Sequence, residues 1–131
     1  MAHNNFLITV QSQLPVKTII ARIEKFLQEK QINVFAKISH SDAASAVGLS
    51  MQDEEVIIFG NPKVGTALMI ECPAIGIELP LKIAVWRMND TSYIAYQDLD
   101  KLAESFGIKK SIDTINLLKQ FMQNIVKVAV E

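Results

Sequence analysis

The sequence predicts an α+β fold, a single domain in which a largely antiparallel sheet carries helices packed on one face. Three observations predict it. Strand-like and helix-like segments follow one another irregularly rather than in strict βα alternation, which argues against a doubly wound parallel sheet. Two strand-like segments flank Asn89-Asp90 as a hairpin would. The chain has 131 residues, half of them hydrophobic, and no repeat, polar tract or Pro/Gly/Ser-rich linker divides it. Residues 4 to 131 are therefore expected to form one domain.

Each element has a local cause. Phe6 to Gln11 alternates briefly and is rich in strand formers. Pro15 suits the first turn of a helix whose apolar residues Val16, Ile19, Ile20, Ile23, Phe26 and Leu27 recur at spacings of three and four. Ile32, Val34, Ala36 and Ile38 then alternate with Asn33, Phe35, Lys37 and Ser39, the period of a half-buried strand. Ser39 to Ser45 reads as a short helix or turn closed by Gly48. The continuous apolar run Val56 to Phe59 fits a central strand, and Pro62 opens a helix that ends before Pro73.

Leu81 to Met88 is the next strand, returning into Ser92 to Tyr96 through a loop expected to exceed two residues. Asp98 caps a helix over Leu99 to Phe106, which Gly107 stops. Ser111 is the expected cap of the last helix, with Asp113 in its first turn. The buried stripe of that helix is Ile115, Leu118, Met122, Ile125 and Ala129.

Charge and composition exclude several function classes. Thirteen basic and fourteen acidic residues leave a net charge of -1. That balance gives no broad field for nucleic acid or an anionic membrane surface. The lone Cys72 forms neither an internal disulfide nor a thiolate cage. No apolar run reaches the roughly 18 residues of a membrane helix, and Met-Ala-His-Asn-Asn-Phe does not resemble a signal peptide. A cytoplasmic location is expected, with no nucleic-acid or membrane partner. Metal is not expected either, since His40 has only His3, in an expected tail, as a fellow histidine. The residues define no cofactor.

The densest local chemistry is Phe59-Gly60-Asn61-Pro62-Lys63-Val64-Gly65-Thr66. Gly60 and Gly65 permit tight backbone geometry, and helix-start N–H groups with Lys63 or Thr66 can receive an anion. The nucleotide-binding version of such a loop requires a lysine where Thr66 stands, which argues against a nucleotide triphosphatase. The block is either a structural connection or a loop that touches a ligand. His40, close to Asp42, is either an oriented base or a turn residue. Lys82 either points into a pocket with Ala84 and Trp86 or faces solvent opposite Leu81, Ile83 and Val85. Tyr96 either adds its phenol to the same cavity or is a core tyrosine. Cys72 reads as an inert thiol, Glu71 and Glu78 flank an irregular connection, and Lys109-Lys110 reads as solvated.

Three blocks carry a family resemblance. Phe35-Ala36-Lys37-Ile38-Ser39-His40 with Ala43, Ala46, Gly48 and Leu49 resembles the first block of a bacterial and archaeal family known as domain of unknown function 302. Phe59 to Thr66 with Leu68 and Met69 is similar to the second, and Leu79-Pro80-Leu81-Lys82 with Val85-Trp86 and Tyr96 to the third. The resemblance implies a compact α+β fold, a homodimer, and no securely established reaction. It marks His40, Asn61, Pro62, Lys63, Gly65, Thr66, Pro80 and Lys82 as pattern positions without assigning any a catalytic role. Glu78 stands where an aspartate is frequent.

The resulting expectation is a dimeric ligand-binding or accessory module. Its pocket would draw on His40, Gly60, Asn61, Lys63, Gly65, Thr66, Lys82 and Tyr96 and take a small anionic or polar ligand. One competing reading is an enzyme with His40 as general base and Lys82 as electrostatic stabiliser. Another is a purely structural or interaction protein.

Overall fold

Among the described residues five strands pair in the order Leu7–Ser12 (β1), Thr91–Gln97 (β5), Leu81–Met88 (β4), Glu54–Gly60 (β3) and Asn33–Ser39 (β2), every neighbour antiparallel. The computed structural model describes residues 5–131, so the expected tail with His3 and the domain start at residue 4 lie outside the described residues. Along the chain run β1 (Leu7–Ser12), α1 (Val16–Glu29), β2 (Asn33–Ser39), α2 (His40–Ala46), β3 (Glu54–Gly60) and α3 (Pro62–Glu71). A 3-10 helix (Pro73–Ile77), β4 (Leu81–Met88), β5 (Thr91–Gln97), α4 (Leu99–Ser105) and α5 (Ile112–Val130) complete it. No helix among the described residues is long and apolar enough to cross a membrane.

Strand register sorts the side chains into two faces. Ile8 opposite Tyr96, Val10 opposite Ile94, Ile83 opposite Tyr96 and Ile57 opposite Ile83 put one apolar set on the same face. That set joins Ile19, Ile23 and Leu27 of α1 and Ile115, Met122 and Ile125 of α5 in one core. Both helices turn inward the stripes their three-and-four spacing defines, with Phe26 and Leu118 only partly buried and Val126 added to the stripe of α5. The helices therefore cover one face of the sheet. Opposite lie Val56, Ile58, Ala84, Trp86 and Tyr93, with Trp86 stacked on Tyr93 at 5.7 Å between ring centroids.

The β4–β5 loop is shorter than expected. Met88 pairs with Thr91, leaving Asn89 and Asp90 as a two-residue turn with φ of 52° and 67°. Asn and Asp tolerate this left-handed region, and two positive φ values in succession match the right-handed twist of the strands.

The cap expected from Ser111 is supplied instead by a distant acid. Glu71, at the end of α3, accepts from the backbone N–H groups of Lys109 (2.7 Å) and Lys110 (2.9 Å) through one oxygen. Its other oxygen accepts from Ser111 N at 2.8 Å, while the Ser111 side chain makes no capping bond. A carboxylate among unsatisfied donors at a helix start stabilises the ionised form. These bonds, those from Lys109 and Lys110 first, lower the Glu71 carboxyl from 4.5 to about 2.

A depressed pKa contributes stability above the unfolded value and loses it as pH falls toward the folded value. Glu71→Gln is therefore expected to lower Tm at pH 7, with the gap to the parent chain shrinking between about pH 4.5 and pH 2. Thermal melts across that range check it. A gap independent of pH would show that the Glu71 charge does not hold the start of α5.

Candidate functional site

The β3–α3 junction folds by closing its own hydrogen bonds. The Asn61 side chain accepts from Lys63 N at 3.0 Å, and its carbonyl accepts from Val64 N (3.0 Å) and Gly65 N (3.2 Å). Thr66 Oγ1 donates to the Pro62 carbonyl. Pro62 takes the first helical position, where a missing N–H costs nothing. The donors that suggested an anion cradle are thus largely occupied within the turn.

What the junction builds is one wall of a cavity of about 460 Å³. Phe59 and Leu81, from the ends of β3 and β4, contribute from the sheet. Val64, Gly65 and Met69 of α3 line it, as do Leu117, Leu118 and Phe121 of α5. Ile32 and Phe35 close it on the β2 side, Leu79 and Pro80 where the chain enters β4. Phe121 meets Phe59 and Phe26 at ring separations of 6.3 and 5.8 Å. The Leu79-Pro80 bond is cis. A Cβ on Gly60 would lie 3.5 Å from the Phe35 ring and 3.6 Å from Pro80, within ordinary contact.

Of the expected site residues, Gly60, Asn61, Gly65 and Thr66 line this cavity together. Lys63 sits beside it, exposed and outside the lining. Lys82 is half-buried on the helix-free face, opposite Ile58, and donates to the Glu78 carbonyl at 3.2 Å. It shares that face with Ala84 and Trp86 but lies outside the cavity. His40 opens α2, exposed, one residue beyond Ser39, which pairs with Glu55. Ile58 lies three residue steps along β3 from Glu55, so His40 and Lys82 stand at least about 10 Å apart along the strands. The structure does not bring them together.

Tyr96 is the core tyrosine of its two readings, 6% exposed among the helix-facing residues. Burial raises its phenol pKa, with Asp98 adding to the effect. Glu71 and Glu78 bond to different partners, Glu71 to the start of α5 and Glu78 accepting from the Gln97 amide. No cluster of three metal-ligating side chains occurs among the described residues.

Periodicity read element by element overlooked Phe35, Leu79, Leu117 and Phe121 as lining residues. Two carried a signal. Leu117 is apolar yet lies off the buried stripe of α5, and it is 63% exposed. Phe35 is likewise apolar at a polar-phase position of its strand, where the register with β3 slips between Val34 and Ala36.

Fold and site together define a class: a five-stranded antiparallel α+β protein with an apolar cavity where the β3–α3 junction meets α5. A model of the family described as domain of unknown function DUF302 matches residues 8–128, and the chain belongs to that family. The fold is shared with the crystal structure of an uncharacterized conserved DUF302 protein from Bacillus stearothermophilus. That match has a TM-score of 0.84 at 18% identity and covers 96% of this chain and 99% of the other. Sequence similarity also extends to the fluoride-specific ion channel FluC 1 of Brucella suis, 31% identical over 115 residues, 81% of this chain and 45% of that protein. FluC 1 of Brucella abortus matches equally over 43% of its length. The chain spans less than half the length of these curated relatives.

Proposed function

We propose that this chain is a cytoplasmic, dimeric ligand-binding accessory module whose ligand occupies the cavity between α3 and α5. One observation carries the reading. All three family-resembling blocks send residues to that cavity: Phe35 from the first, Phe59 to Pro62 and Val64 to Thr66 from the second, and Leu79 to Leu81 from the third. Blocks separated in sequence that converge on a concave, largely apolar space are what a small-molecule site requires. The partial match to longer channel proteins supports an accessory role, in which a domain of this kind serves a larger assembly. The separation of His40 from Lys82 weighs against the catalytic pair.

In this reading a second copy covers the helix-free face. Its strip of Val56, Ile58, Ala84 and Trp86 has Glu54 near one end and Lys82 near the other. A two-fold related copy would set each acid against the other's base, as an isologous interface demands.

Native mass spectrometry of untagged protein tests both parts. A dimer is expected, carrying reproducible added mass absent from the denatured chain, and Val56→Glu is expected to yield a folded monomer. A parent chain that stays monomeric overturns the dimer. A protein that never carries added mass, even after incubation with cell extract, speaks against the ligand.

A further inference from the structure

The chemistry of the cavity wall specifies what it takes. Sixteen residues line the space and none carries a charge. Of its two polar side chains, Thr66 donates to the Pro62 carbonyl and Asn61 accepts from Lys63 N, which leaves only the N–H groups of the exposed Asn61 amide to offer a ligand. Such a wall is a poor host for ions and for ordered water, which needs two to four polar partners.

Room is left in it by glycine. Gly65 lies inside α3, where glycine is the least favourable residue short of proline. A Cβ there would meet only Leu79 Cδ1 at 3.8 Å and Met69 Cε at 3.9 Å, ordinary contacts, so the backbone does not require glycine for lack of space. Its effect is to keep the cavity wall low. The flexible thioether of Met69 borders the same space, and a polarisable side chain of this kind adapts to apolar surfaces of varied shape.

We infer that the cavity binds an uncharged, largely apolar small molecule, a hydrocarbon chain or compact ring whose polar end, where it has one, stays at the mouth beside Asn61 and Thr66. This rests on the ligand-binding reading above and replaces the anionic or polar ligand suggested by the sequence motif. Burial of methylene groups supplies the affinity, so lengthening a chain from octanol to decanol is expected to tighten binding by up to roughly fifteen-fold.

The test uses the intact chain with 13C-methyl-labelled methionine, titrated with 1-decanol, inorganic phosphate and glucose. Met69 reports the cavity, and Met88, 45% exposed at the end of β4, reports the helix-free face. Decanol is expected to shift the Met69 methyl saturably without moving Met88, with phosphate and glucose inert. Gly65→Leu, which places a side chain in the cavity, is expected to abolish the shift, and the smaller Gly65→Ala to weaken it several-fold. If phosphate or glucose moves Met69 as strongly as decanol, the ligand class is wrong while the cavity remains a site. If no probe moves Met69, the ligand-binding reading falls with it. A decanol response that moves Met88 in step, or survives both glycine variants, overturns the inference by placing the binding elsewhere.

Discussion

Phe59→Ala is expected to destabilise the protein by about 3–5 kcal/mol, a fall in Tm of roughly 10–20 °C for a domain of this size. Phe59 is fully buried at the end of β3, opposite Leu81 on one neighbour and Val34 on the other, with the Phe121 ring 6.3 Å away. Truncation removes apolar contacts from the sheet side and from α5 together. It also joins the void it leaves to the adjoining cavity, so the surroundings have little with which to refill it. Phe59→Leu keeps most of the volume and is expected to cost less than about 1.5 kcal/mol. Chemical denaturation checks both, and a loss below about 1 kcal/mol for the alanine variant would mean that the ring does not bridge sheet and helix.

Arg87→Ala is the second large effect, about 2–3 kcal/mol. One guanidinium nitrogen donates to the carbonyls of Gln13 (3.3 Å) and Leu14 (3.0 Å) and to Ser92 Oγ (2.9 Å). The other donates to the Asp90 carbonyl at 3.0 Å. Ser92, fully buried, donates its hydroxyl hydrogen bond to the Leu14 carbonyl at 2.6 Å. This cluster fastens the β1–α1 turn to the β4–β5 hairpin where helix packing gives way to backbone. Ser92→Ala alone is expected to cost about 1 kcal/mol. Because the two side chains share the Leu14 carbonyl, the double variant should fall short of additivity by at least about 0.5 kcal/mol. Additive losses would show that they act independently.

These two residues mark how far sequence reading reached. Phe59 was recognisable as core, since it ends a continuous apolar run, though nothing local indicated that its ring borders a cavity. Arg87 was legible only as the polar end of a strand. Its partners at Gln13 and Leu14 lie more than seventy residues upstream, and no local pattern records a bond of that span. Glu71 behaves likewise: the cap expected of Ser111 comes from thirty-eight to forty residues away. Within the site, the Gly60–Thr66 block was found because its glycines and proline punctuate the chain. Which of its two readings holds is not a local matter, because donors free in an isolated helix start are satisfied here within the turn.

The sequence by itself determined the α+β class, the order of the elements, the buried stripes of α1 and α5, and the Asp98 cap of α4. Each follows from side-chain periodicity or from a backbone preference that acts within a few residues. Only the tertiary structure decided that Phe35, the Phe59–Thr66 block without Lys63, Leu79 to Leu81 and the off-stripe Leu117 enclose one space, and that His40 and Lys82 stand apart. The reason is physical. Strand register and helix docking are settled by packing between segments distant in the chain, and a side chain's neighbours across that packing leave no mark on the local pattern that places it in a helix or a strand.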